Sequence, residues 1–231
     1  MNKEQFDKYN ETKLYWNDVF KNCTLYDPFE EIKIETLPER ILEDALDAME
    51  LKEGHVLDFG CGTGRFGFRA LCKGGEKVTL VDICDESIKL IKNIALKNEI
   101  SNKCNILLGG IERLRELKKE SFNGVILSNI IDNITPLDRE EVINEVIRLL
   151  KPNGRLFIKL NPYIDNEKIK LWEFNKLDED FYKEKSGLYF WNLTKEKADN
   201  FFKRKFKILR YEEIYYKDYN QYNRIYILEK L

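Results

Sequence analysis

The sequence holds one histidine, His55, among 231 residues. A histidine pair, a His-rich metal site or a Ser-His-Asp triad must use that residue or be excluded. Cysteine is sparse and odd in number: five, with no Cys-x-x-Cys spacing. That argues against a disulfide framework and a zinc site, and for a reducing compartment. No metal site is expected. Net charge is almost absent, with 39 Lys and Arg against 41 Asp and Glu. A chain that binds nucleic acid by bulk charge is strongly basic, so this balance counts against a nucleic-acid partner. No apolar run approaches the roughly 18 residues that a membrane helix needs, and no membrane association is expected. Met1-Asn2-Lys3-Glu4-Gln5 brings in charge early and lacks the apolar stretch of a signal peptide. The expected location is the cytoplasm.

What is present is the material of a core. Hydrophobic residues make up 43% of the chain and aromatics 13%, which suits one globular domain with at most a small appendage. Residues 1–30 read as a helical arm with Tyr9, Tyr15, Trp16 and Phe20, followed by a loop at Tyr26-Asp27-Pro28. Residues 36–50 read as an amphipathic helix, with Thr36 as a cap, Pro38 in the first turn, and Ile41, Leu42, Ala45 and Met49 on one face. Residues 1–50 are therefore expected to form an N-terminal arm or cap, and 51–231 an α/β domain.

From residue 55 short apolar runs alternate with helical periods. Strands are expected at 55–59, 78–82, 105–108, 122–128 and 155–160, with helices at 65–72, 85–98 and 135–150. Lys151-Pro152-Asn153-Gly154 reads as a turn before the fifth strand. Such alternation builds βαβ units and a parallel sheet covered on both faces. Two last runs, 207–216 and 223–231, are close enough for a hairpin, so the final strand should run antiparallel. Between them and strand five, residues 161–194 are polar and aromatic and are not required by the alternation. Their aromatics, Trp172, Phe174, Phe181, Tyr182, Tyr189, Phe190 and Trp191, either line a substrate cavity or pack a small cap.

The sharpest signal is Asp58-Phe59-Gly60-Cys61-Gly62-Thr63-Gly64, a strand running through three alternating glycines into a helix. Such a turn lets a ligand approach the backbone, and the helix start offers free amides. The dinucleotide fingerprint would place a glycine where Arg65 stands, and the Gly-Lys-Ser/Thr of a P-loop is missing.

The run Asp58-x-Gly60-x-Gly62-x-Gly64 resembles motif I of class I S-adenosylmethionine (SAM)-dependent methyltransferases. Asp82, ending the second strand, resembles the family's acid on the ribose hydroxyls, and 151–156 resembles its turn before strand five. The resemblance spans roughly residues 50–160 and the final hairpin. It implies a doubly wound, mostly parallel, seven-stranded sheet with an antiparallel C-terminal strand, the Rossmann-like methyltransferase fold. It implies SAM as cofactor and S-adenosylhomocysteine as product. Cofactor contacts are expected from Asp58, Gly60, Cys61, Gly62, Thr63, Gly64, Asp82, Ile83, Ile111, Glu112 and Asn129. One departure stands out: where the family commonly has Gly-Asp, with the Asp on adenine, this chain has Gly109-Gly110. Glu112 then either contacts adenine or simply favours a helix N-terminus.

His55 opens strand one, at the edge opposite the ligand crevice of open α/β sheets, and is not expected to be catalytic. Asp132, in the loop after strand four, is the candidate general base or substrate anchor, or else a solvated carboxylate. Asn133 and Tyr163, the latter in Asn161-Pro162-Tyr163, are candidate substrate contacts. The leading expectation is an enzyme, a SAM-dependent methyltransferase acting on a small molecule. A methyltransferase on RNA or protein and a non-catalytic SAM-binding sensor or scaffold are the alternatives. The sequence leaves oligomeric state open.

Overall fold

The computed structural model describes residues 3–21, 37, 39–217 and 220–231, with side chains from residue 7 onward. Thr36, Pro38 and the Tyr26-Asp27-Pro28 loop lie outside the described residues. The elements are α1 (Lys3–Lys21), α2 (Arg40–Asp47), β1 (His55–Phe59), α3 (Arg65–Cys72), β2 (Lys77–Asp82), α4 (Asp85–Lys97), β3 (Cys104–Leu108), α5 (Ile111–Glu116), β4 (Phe122–Ser128), α6 (Pro136–Leu149), β5 (Leu150–Leu160), α7 (Asn166–Leu171), β6 (Asn175–Asp178), β7 (Phe181–Lys183), β8 (Tyr189–Trp191), α8 (Lys195–Lys203), β9 (Phe206–Tyr216) and β10 (Gln221–Lys230).

Seven strands form one sheet in the order β3-β2-β1-β4-β5-β10-β9. β1 pairs in parallel with β2 and β4, and β10 runs antiparallel to both β5 and β9. This is the expected doubly wound fold with its antiparallel ending. Strands covered on both faces need apolar side chains in both directions. Accordingly Leu57 and Val125 pack into one core layer, while their neighbours Val56 and Ile126 pack into the other. The chain order reverses direction between β1 and β4, and that switch point opens a crevice at the C-terminal ends of the strands.

Local chemistry sets several boundaries. Thr135 caps α6 by accepting from the Asp138 amide at 3.2 Å, with Pro136 at the first helical position. α2 is shorter than the expected 36–50, entering from an extended Glu39 and ending at Asp47. The expected turn at 151–154 does not interrupt β5, which runs from Leu150 to Leu160. Leu150 and Arg155 of β5 sit opposite Phe122 and Gly124 of β4. The turn residues therefore bulge out of a continuous strand, with Asn153 at φ 60 taking the bend.

Residues 161–194 are folded rather than a bare loop. β6, β7 and β8 form a separate antiparallel sheet. Ile164, Ile169, Tyr182 and Phe190 make a small core there, while Phe181, Tyr189 and Trp191 join the main core. Five of the seven aromatics of this segment are buried, Phe174 packs against the small core, and Trp172 is exposed. Among the described residues no helix is long and apolar enough to cross a membrane, and no group of three His, Cys, Asp or Glu side chains gathers to hold a metal.

Candidate active site

The crevice at the switch point is a cavity of about 390 Å³, within the usual range for small-molecule sites. Its floor is the glycine loop after β1. Gly60 and Gly62 take φ of +67° and +53°, which side chains with a Cβ rarely adopt. A Cβ on Gly60 would also lie 2.0 Å from Ile130 Cδ1. The loop thus presents bare backbone because nothing larger fits between it and the segment after β4.

Two buried carboxylates hold this loop. Asp58 is 1% exposed, and its Oδ2 accepts from the Gly67 amide at 2.9 Å. This ties α3 to β1, and burial pushes the Asp58 carboxyl up to about 7. Asp82 Oδ2 accepts from the Gly62 amide at 2.8 Å, and its Oδ1 accepts from the Cys84 amide at 2.9 Å. Each Asp82 oxygen keeps further acceptor capacity, and the residue lines the cavity. Burial raises its pKa also. Cys61 lines the cavity, and burial holds its thiol well above the usual range, which favours the neutral thiol.

Of the residues expected to bind cofactor, Asp58, Gly60, Cys61, Gly62, Thr63, Asp82, Ile83 and Asn129 line the cavity, as do Gly109 and the candidate substrate residue Asn133. Gly64, Ile111 and Glu112 do not. Gly64 caps α3 and packs towards Phe68. Glu112 Oε1 instead accepts from the Gly110 amide at 2.8 Å and from the Tyr9 hydroxyl at 3.4 Å.

Two of the expected substrate-side residues are placed differently. Asp132 is 1% exposed and outside the cavity lining, its Oδ2 accepting from the Asn161 amide at 2.6 Å. It is not the solvated carboxylate of one reading, and nothing exposes it as a general base. Burial raises its pKa, and its Oδ1 has no hydrogen-bond partner. Tyr163 is 48% exposed and also outside the lining. His55 stays at the far edge of the sheet, its Nε2 3.0 Å from Thr79 Oγ1.

The N-terminal arm was expected as a cap, but two sets of cavity contacts were not foreseen. The first is α1, whose Thr12, Trp16 and Phe20 wall the cavity. Lys13 pairs with Asp85 at 3.1 Å, and Asn17 Oδ1 accepts from the Asp85 amide at 3.1 Å. Trp16 and Phe20 are one helical turn apart, which was the available signal. The second is Lys159, which lines the cavity and donates to Asn129 Oδ1 at 2.7 Å. Asn129 Nδ2 donates on to Asn161 Oδ1 at 2.6 Å, and Asn161 Nδ2 donates to Asn133 Oδ1 at 2.9 Å. A lysine near a strand end carries no local pattern that would mark it.

A family model for a methyltransferase domain matches residues 50–207. The chain belongs to the class I SAM-dependent methyltransferase family. SAM is the cofactor of this family. The fold is similar to 1,6-didemethyltoxoflavin-N1-methyltransferase from Burkholderia thailandensis, crystallised with 1,6-didemethyltoxoflavin and S-adenosylhomocysteine. That likeness has a TM-score of 0.74 at 14% identity, over 98% of this chain and 90% of that one. In sequence the methyltransferase is 29% identical over 164 residues to a ubiquinone biosynthesis O-methyltransferase of Pelagibacter ubique, covering 68% of this chain and 64% of the relative. It is 32% identical over 111 residues to a ribosomal protein L11 methyltransferase of Haemophilus influenzae, covering 48% of this chain and 35% of the relative. The chain thus spans less than two thirds of these curated relatives.

The residues present fit the family's cofactor. A cradle that a Cβ would fill, a carboxylate with spare acceptor capacity for hydroxyls, and apolar walls meet in one cavity.

Proposed function

We propose that this methyltransferase transfers a methyl group from SAM to a small-molecule acceptor. The observation that carries the reading is the cover of α1. Trp16 and Phe20 close over the same cavity of about 390 Å³ that the glycine loop and Asp82 floor. A site roofed in this way suits a small acceptor better than a polymer.

In this reading Gly60, Cys61, Gly62 and Thr63 give the cofactor a backbone edge, Asp82 accepts from its ribose hydroxyls, and Ile83 packs on its base. Bound there, SAM supplies a methyl group already activated by its sulfonium. The chain's own work is to align the acceptor with that methyl and keep water out. Asn129 and Asn133, tied through Asn161, shape the acceptor end. Asp132 acts behind them by holding the Asn161 backbone. α1 serves as the cap, α2 packs into the core beside Val56 and Phe157, and 51–231 form the catalytic domain with 161–194 as a buttress. Lys183 pairs with Glu11 of α1 at 2.8 Å, so the buttress steadies the cap rather than lining the cavity.

The test is incubation with methyl-labelled SAM and fractionated cell extract. Label in a small-molecule fraction is the expected result. Label in RNA or protein would replace the acceptor class, and binding of SAM without turnover in any fraction would point to a sensor.

A further inference from the structure

Lys159 has a chemical opening that Asn129 does not fill. An ammonium carries three N–H donors. Among the described residues, the bond to Asn129 Oδ1 at 2.7 Å is the one hydrogen bond its Nζ makes. The charged groups that face it are Asp132, Glu39 and Arg65, and the Tyr216 ring centre lies 5.7 Å away. None of these is in ion-pair contact with it. Asp132 is turned onto the Asn161 amide, and Arg65, also on the cavity wall, adds a second positive charge. Burial works against the Lys159 cation. A partly buried cation with unspent donors, in a cavity walled by Trp16, Phe20 and Phe66, is left to find its anion in a ligand.

We propose that Lys159 is the acceptor-recognition residue of the cavity, and that the acceptor is a small flat oxygen acid, phenolic, enolic or carboxylic, bound as its anion. The inference rests on the methyltransferase reading of the site. On binding, the acceptor's proton passes to solvent and the ammonium neutralises the oxygen left behind. No protein carboxylate is then needed as a base, which agrees with the withdrawal of Asp132 from the cavity. The rings of Trp16, Phe20 and Phe66 give the flat body its apolar contact.

The experiment uses the full chain saturated with S-adenosylhomocysteine and titrated calorimetrically with 4-nitrophenol and benzoate. Nitrobenzene and benzamide serve as neutral counterparts, and the colour of 4-nitrophenol reports its ionisation when bound. The wild type is expected to prefer the anions by about tenfold or more and to lower the apparent pKa of bound 4-nitrophenol. Lys159→Met should lose the preference, Lys159→Arg should keep part of it, and both should bind S-adenosylhomocysteine within twofold of wild type. Three results would overturn the proposal: a preference that survives Lys159→Met, no preference in the wild type, or a tenfold loss of S-adenosylhomocysteine affinity in Lys159→Met. The last would assign the ammonium to the cofactor or to the Asn129 loop. Failure of the wild type to bind S-adenosylhomocysteine would overturn the methyltransferase reading itself, and the proposal with it.

Discussion

Replacing Gly62 by valine tests the placement of the cofactor loop most directly. Gly62 sits at φ +53°, and a Cβ there would lie 3.3 Å from Phe20 Cζ on α1. An L-residue in this region costs about 1–2 kcal/mol. For a domain of this size that lowers the melting temperature by roughly 2–4 °C per kcal/mol. Valine also adds two methyl groups beside Phe20, where the ligand must pass. Crowding of that kind costs about 1–3 kcal/mol, or roughly 5- to 150-fold in affinity. Gly62→Ala separates the two effects, since it carries the same backbone strain without the branch. Calorimetric titration with S-adenosylhomocysteine and thermal melting should show both variants destabilised, valine at least as much as alanine, with valine the weaker binder. A folded Gly62→Val protein with wild-type affinity would refute the placement of the loop.

Three further predictions follow from the buried groups and the exposed tyrosine. Burial raises the Asp58 carboxyl from 3.8 to about 7. Between those values the unfolded chain gives up the proton that the folded chain keeps, so stability falls as pH rises, by up to about 4 kcal/mol. Asp58→Asn still accepts from Gly67 and should flatten this fall in urea midpoints taken from pH 4.5 to 7.5; an unchanged slope would show that Asp58 is not its source. Asp132→Ala orphans the Asn161 amide and should destabilise by about 1–3 kcal/mol. Its kcat should keep the wild-type pH profile, whereas loss of an acid limb without loss of stability would restore Asp132 as a base. Tyr163→Phe should stay within about 0.5 kcal/mol of wild type in stability and leave turnover unchanged, and a tenfold fall in kcat/KM would place Tyr163 at the substrate after all.

The parts of the molecule legible in its sequence are those where backbone geometry dictates residue type. Buried strands must be apolar in both directions, so 55–59, 78–82 and 122–128 stand out, and Thr135-Pro136 declares a helix start by capping chemistry alone. The glycine loop and Asp82 are legible for the same reason, since positive φ and a loop-binding carboxylate restrict what can stand there. The bulge at 151–154 was not, because turn chemistry does not reveal whether strand pairing resumes on both sides. Nor was the choice between Asp132 and Asn133, where one step along a loop moves a side chain from the buried side to the cavity. The cover of α1 depends on contacts such as Asn17 to Asp85, across 68 residues, which no local window contains.

The departure at Gly109-Gly110 shows how such a distant contact can explain a local oddity. A Cβ on Gly110 would lie 2.6 Å from Tyr9 Cε2, so the place that a larger side chain would take after β3 is filled by the ring of Tyr9 from α1. The Tyr9 hydroxyl reaches Glu112, whose Oε1 accepts from the Gly110 amide at 2.8 Å. Burial and the nearby Glu112 carboxylate push the Tyr9 hydroxyl up to about 12, so it stays a neutral donor. The missing side chain and the docked helix are therefore one feature: α1 can close over this side of the crevice because residue 110 carries nothing to block it. An acidic side chain at 110 would have to displace the Tyr9 ring, so glycine at this place and the seating of α1 are mutually consistent.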